Sequence, residues 1–277
     1  MADNNENKVL NVPHLRFPEF SGEWNKYTIN DLATVVGGGT PDTTVKSYWG
    51  GDIQWFTPSE IGKNKYVDFS KRTITRDGLD NSSAKLLPLH TILLSSRATV
   101  GECSIASNEC TTNQGFQSLI AKQCNIDFLY YLIQTKKKDL IRNACGSTFL
   151  EISANEIRKI KVAVPVQNEQ EQIAKLLSLI DERIATQNKI IEKLQSLIKG
   201  LAAQLTQSGT PNIRLCDCLE CHSSTLQENC VSVTGSYPVY GATGLIGYTN
   251  NYAYNGESIL IVKDGSGVGS LSYVNDH

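Results

Sequence analysis

From Glu169 to Leu205, apolar side chains recur in steps of three and four: Ile173, Leu177, Ile180, Ile184, Ile191, Leu194, Ile198, Leu201 and Leu205. Gln187 fills the slot between Ile184 and Ile191, while Leu176, Ile190 and Leu197 widen the stripe. This is the heptad period of a helix that winds along another helix. Pro165 precedes the pattern, no proline interrupts it, and Gly209-Thr210-Pro211 follows. The spacing therefore predicts one helix of about 40 residues, a rod of roughly 60 Å. A rod with one apolar edge cannot stand bare in water, so a second long helix is expected alongside it. A long helix lying across its own domain is the competing reading, disfavoured by the length and the clean period. Gln187 in the seam would cost stability and help to set the register.

The 277 residues suffice for one or two domains with real cores. No apolar run approaches the ~20 residues of a membrane-spanning helix. The first eight residues are polar and show no export signal, so the 8 cysteines are expected as reduced thiols in the cytoplasm. Residues 1–166 carry 19 basic against 17 acidic side chains, whereas 211–277 carry 2 against 6. The first block is the better match to an anionic partner. Within it, Lys63, Lys65, Lys71, Arg72 and Arg76 stand among Trp55, Phe56, Tyr66 and Phe69, and Lys136-Lys137-Lys138 with Arg142 form a second basic run. Taken alone, such clusters are more often solvated surface than nucleic-acid contacts.

Ahead of the rod the pattern is mixed. Residues 24–36 are apolar-rich and break at Gly37-Gly38-Gly39-Thr40-Pro41; Ile53–Phe56 and Thr91–Ser95 read as short strands. Asp127–Asn143 reads as a helix, and Lys159–Val164 as an edge strand ended by Pro165. After the rod the chain begins again. Tyr27–Leu32 is echoed by Ile213–Cys218, and Thr91–Leu94 through Val100–Ser104 by Ser258–Ile261 through Val268–Ser272. Such a repeat suggests pseudo-two-fold organisation. The fold class expected is α+β: a mixed recognition-type domain over 1–166, a coiled-coil-type helix over 167–208, and the start of a second such domain over 209–277.

Motifs for chemistry are weak. Gly265–Gly269 follows a strand but lacks dinucleotide-loop spacing, and a tight β-turn is the better reading. Cys218–His222 spells a haem c attachment string, which needs an exported chain. Cys216, Cys218, Cys221 and Cys230 are crowded for structural zinc and are read as small apolar residues, so no metal is expected. The histidines at 14, 90, 222 and 277 are scattered, and Asp42 lacks the companion acids of a nuclease centre. No catalytic residue is assigned.

Four stretches together resemble the specificity subunit of type I restriction-modification systems. They are Pro18–Trp24; Gly38-Gly39-Thr40-Pro41 with Tyr48–Trp55; Ser96–Gly101 with Thr112–Phe116; and Val164–Val166 with Glu169-Gln170 and Ile173–Asp181. Val166 stands where the family often has a second proline. The resemblance implies two target recognition domains, each reading half of a split DNA site, and long helices packed antiparallel as a spacer beside which methylation subunits dock. It implies a chain that is not itself an enzyme, whose partners are double-stranded DNA, methylation subunits and restriction subunits. S-adenosylmethionine would sit on the methylation subunit. Candidate DNA contacts are Lys63, Lys65, Lys71 and Arg72 on phosphates, and Arg97 and Gln114 on base edges; a scaffold role for the last two is weighed nearly equally. Thr40 and Trp55 are read as structural. Ile173, Leu177, Ile180, Ile184, Ile191, Leu194, Ile198 and Leu201 are the expected subunit interface. The alternative is a half-subunit that dimerises through the rod as an assembly module.

Overall fold

A computed structural model describes residues 11–146, 150–207, 209, 212–223, 226, 230–254, 256–265 and 267–275. The chain divides into two compact units, Met1–Leu197 and Ile198–His277, with the boundary inside the long helix. In the first unit the strands and helices run β1 (Asn25–Thr28), α1 (Ile29–Leu32), β2 (Ala33–Gly37), β3 (Trp49–Phe56), β4 (Tyr66–Val67), β5 (Arg72–Ile74) and α2 (Arg76–Asp80). They continue with β6 (Ile92–Leu94), β7 (Cys103–Ala106), β8 (Cys110–Thr112), β9 (Gln117–Ala121), α3 (Ile126–Thr135), α4 (Lys137–Arg142), α5 (Ala154–Lys159), β10 (Lys161–Val164) and the rod, α6 (Gln167–Thr206).

Five strands form one sheet in the order β2-β9-β6-β7-β4, three form another in the order β5-β3-β8, and β1 pairs with β10. The five-stranded sheet is covered on both faces. Ile92 and Leu94 join the core with Phe128, Leu129 and Ile133 of α3, while Leu93 joins Phe56, Leu87 and Phe116 on the other side. That two-sided burial explains why β6 reads as an unbroken apolar run rather than an alternation. Trp55, read from the sequence as structural, is 5% exposed beside Ile74 and Leu79.

The single helix expected over 127–143 is two. Lys136, at φ −92° and ψ 4°, separates α3 from α4, and the Thr135 hydroxyl donates to the Leu132 carbonyl as α3 ends. The edge strand expected from Lys159 begins two residues later, because α5 runs through Lys159. Serine at position 153 caps that helix by accepting from the Glu156 N–H.

The second unit contains β11 (Tyr237–Gly241) paired with β12 (Gly244–Thr249), and β13 (Ser258–Ile261) paired with β14 (Leu271–Val274). None of its described residues is buried. Cys216, Cys218, Cys221 and Cys230 are exposed. This corrects their reading as small apolar residues, since among the described residues no core forms around them. The Gly265–Gly269 turn lies between β13 and β14 as expected, with Ser266 outside the described residues.

Candidate nucleic-acid interface

Several loops of the first unit meet at one surface. The Gly39 N–H donates to the Thr112 carbonyl at 2.8 Å, and a Cβ on Gly38 would stand 2.0 Å from the Asn113 carbonyl, so only glycine allows the approach. Thr40 donates its hydroxyl proton to Gln114 Oε1. The Asn113 N–H donates to the Phe56 carbonyl at 3.0 Å, and the Ser96 N–H to the Gly115 carbonyl at 2.8 Å. Glu60 binds the next loops: Oε2 accepts from the Thr57 N–H and hydroxyl, and Oε1 from the Lys71 N–H at 2.6 Å. These contacts join two of the four sequence stretches singled out above into one scaffold.

The side chains on this surface are held rather than loose. Arg72 lays its guanidinium 3.6 Å from the Trp49 ring centroid, and Trp49 meets Trp55 edge-on at 5.0 Å. Arg97 Nε stands 3.7 Å from Glu151 Oε2, both side chains about half exposed. The Trp55 indole N–H donates to the Gly39 carbonyl at 2.9 Å. Arg72, Lys71, Arg97 and Gln114 are thus exposed groups on a braced platform, suited to meeting a polyanion whose backbone needs cations and whose bases need planar polar groups.

Lys65 is different. Sequence reading placed it among phosphate contacts, but its side chain is 13% exposed and its Nζ lies 2.7 Å from Asp127 Oδ1. The ammonium also donates to Ser178 Oγ at 2.7 Å and Tyr131 Oη at 3.3 Å, and sits 4.5 Å from the Tyr131 ring centroid. Its charge is satisfied inside the fold, which withdraws it from phosphate. Burial alone would raise the Asp127 carboxyl; hydrogen bonds from Lys65 and Tyr66 and the Lys65 charge outweigh it and hold the group below its ordinary value. Burial, and then Asp127, push the Tyr66 phenol up. Lys63 stays exposed in the loop that leads to Lys65.

The root of α6 is built into the same unit. Glu169, fully buried, receives Arg16 Nε and Nη2, each at 2.7 Å, and the Trp24 indole N–H at 3.2 Å. Gln170 accepts from the Asn125 N–H at 2.9 Å and donates to the Pro165 carbonyl at 3.0 Å. Ala174 is 4% exposed and Ile173 packs on the core. Ile173 therefore serves its own domain, correcting its place in the expected subunit interface, and Leu177 is half-buried. Farther out the seam is bare: Ile180, Ile184, Ile191, Leu194, Ile198 and Leu201 are 45–66% exposed.

The type I restriction modification DNA specificity domain matches residues 21–196. The chain belongs to this family. It is 39% identical over 183 residues to the MjaIX specificity subunit of Methanocaldococcus jannaschii, covering 62% of this chain and 42% of that protein. It is 29% identical over 175 residues to the EcoR124I/EcoR124II specificity subunit of Escherichia coli, covering 60% and 43%. The chain thus spans under half the length of both relatives. A crystal structure of the specificity subunit from M. genitalium shares the fold, with a TM-score of 0.55 at 19% identity over 92% of this chain and 69% of that one. A chain from a study of type I system assembly and conformational transition aligns at a TM-score of 0.53 and 19% identity, over 68% and 46%.

Membership in the specificity family makes sense of strings that looked generic. Glu169-Gln170 reads as a docking pair: one side chain fixes the segment from Arg16 to Trp24, and the other fixes the turn ahead of α3. Periodicity could not find Arg16, which lies 153 residues from its partner. No described helix is long and apolar enough to cross a membrane. Among the described residues, no group of three or more His, Cys, Asp or Glu gathers as a metal site.

Proposed function

We propose that this chain reads DNA sequence for a type I restriction-modification complex and supplies no chemistry of its own. Residues 1–166 act as one target recognition domain, 167–208 as the spacer helix, and 209–277 as part of a second recognition domain. Each recognition domain addresses one half of a split site, and methylation subunits carrying S-adenosylmethionine dock beside the spacer, with restriction subunits joining them. One observation carries this reading: a braced, partly cationic loop surface and a helix with a bare apolar seam are rooted in the same core. Such a pairing suits a device that reads at one place and measures distance from another.

Base-edge contact by Arg97 and Gln114 would give selectivity, and Lys63, Lys71 and Arg72 on phosphates would give salt-dependent affinity. Methylome sequencing of cells with and without the chain tests the proposal. The expected result is loss of one split motif when the chain is absent; an unchanged methylome would overturn it. Purified chain with its methylation subunit should also bind duplex DNA more weakly as salt rises.

The exposure of Ile184, Ile191, Leu194 and Ile198 supports a second reading, in which two copies pair through the rod. Sedimentation would report a dimer that Ile191→Glu and Leu194→Glu disrupt. Dimerisation without any DNA binding at low salt would favour an assembly module over a DNA reader.

A further inference from the structure

We infer that Lys65, Tyr131, Ser178 and Asp181 form a latch that sets the direction in which α6 leaves the recognition domain, and through it the spacing that the proposed split-site reader accepts. The inference rests on that functional reading for its consequence, and on geometry alone for the latch.

A rod held at one point swivels; held at two, it has a direction. The first point is the buried Glu169–Gln170 pair. The second lies more than two turns along the helix. There Lys65 Nζ donates to Ser178 Oγ at 2.7 Å, and Tyr131 Oη donates to Asp181 Oδ2 at 2.6 Å. Lys65 is itself held by Asp127, so the latch runs from the edge of the sheet through α3 to α6. Leu177, between the two points, is half-buried, whereas every residue from Leu179 to Ala202 is exposed. Nothing among the described contacts steers the helix after Asp181.

The lever is long. From residue 182 to Thr206 the helix extends roughly 37 Å at about 1.5 Å per residue. A tilt of about 5° moves its far end by about 3 Å, comparable with the ~3.4 Å between successive bases along one strand. An exit angle held to a few degrees is therefore what single-base-pair discrimination of spacer length demands. A lysine suits the task because its long stem reaches α6 from the sheet while its ammonium offers three donors to three different acceptors. None of the four residues needs to touch DNA; they act as positioning residues.

The test uses the full chain with spin labels at positions 138 and 192, introduced as non-natural residues so that the native cysteines stay unlabelled. Lys65→Met and Asp181→Asn are compared with the unsubstituted chain. The distance distribution between the labels is expected to broaden about two-fold or more in Lys65→Met, and less in Asp181→Asn, which strips the charge from the acceptor of Tyr131 and so weakens only that exposed tie. Because Asp181→Asn leaves the packed part of the latch intact, it remains informative if Lys65→Met fails to fold. Unchanged distributions in folded variants would overturn the latch.

Methylation with the cognate methylation subunit then compares duplexes whose spacer is native, one base pair shorter or one longer. Preference for the native spacer should fall about ten-fold in the variants while native-site methylation stays within about three-fold. An equal loss on all three duplexes would mark the four residues as merely structural and overturn their role in spacing. If the unsubstituted chain itself ignores spacer length, the split-site reading fails, while the distance measurement still judges the latch.

Discussion

Across the β6–β7 pair Ile92 faces Ile105 and Leu94 faces Cys103; across β13–β14 Ile259 faces Tyr273 and Ile261 faces Leu271. The turns match as well. The Gly101 N–H donates to the Ser95 carbonyl and the Glu102 N–H to that of Thr99, as the Gly269 N–H does to Val262 and the Ser270 N–H to Gly267. Even the left-handed residue recurs, as Ala98 at φ +63° in one turn and Gly265 at φ +87° in the other. Surroundings separate them. Ile92, Leu94, Cys103 and Ile105 are at most 3% exposed, while Ile259, Ile261, Leu271 and Tyr273 are at least 61% exposed. In the first unit, β9 pairs with β6 and α3 packs over that face; among the described residues of the second, no element does so. Turn chemistry and register are local properties that survive without a core, whereas burial has to be supplied from far along the chain.

The comparison is open to direct attack. Leu94→Ala should destabilise the first unit by about 2–5 kcal/mol, because it deletes a fully buried side chain between sheet and helices. Denaturant unfolding measures this, and a loss below about 1 kcal/mol would mean that the covering elements pack loosely. Gly265→Ala should weaken the β13–β14 turn by about 1–2 kcal/mol, a purely backbone effect since a Cβ there meets nothing within 4 Å. Hydrogen exchange at the Gly269 amide reads it out. Ala98→Gly should instead stabilise its turn, by about 0.5–1 kcal/mol once glycine's entropy is counted.

A pH effect should divide the hairpins too. Burial chiefly, aided by the Glu102 charge and opposed by Lys137, pushes the Cys103 thiol up to about 12; Leu271 at the matching position cannot titrate. A raised folded value gives stability that is whole below the unfolded thiol's pKa of about 8.5 and is lost as pH rises above it. The first unit should therefore lose about 0.5–1 kcal/mol from Cys103 between pH 7.5 and 9. Cys103→Ala should lessen the slope of thermal melts by that amount, while the buried thiols of Cys110 and Cys124 keep the rest. The smallest effect belongs to Ile261→Ala, the counterpart of Leu94→Ala. It should stay within about 0.5 kcal/mol in the isolated chain, and a larger loss would reveal a covering partner.

What the sequence made legible follows the same division. The helix over 167–206 was readable because its seam repeats every three or four residues, and the repeat was readable because its turns carry matching glycines. The entry turns match too: the Thr28 N–H donates to Asp31 as the Arg214 N–H does to Asp217. The hairpin of β11 and β12 escaped the reading although Gly241–Gly244 marks its turn. Lys65 was misread because its loop has no period and its partners lie 62, 66 and 113 residues away. The surface joining Thr40, Arg97 and Gln114 was visible as separate strings, but their meeting depends on β3 pairing with β8 and on β9 lying between β2 and β6, which no local pattern dictates.

The exposed stretch of α6 has a further consequence. The anchored root supplies the helical nucleus, but with nothing packed on them the turns farthest from it are held only by the small gain that each added residue contributes. Past its last anchor, then, the order of the strut is a function of the company it keeps: its helicity will climb with the concentration of whatever lies along its greasy edge, and a titration followed by circular dichroism would double as a census of its neighbours.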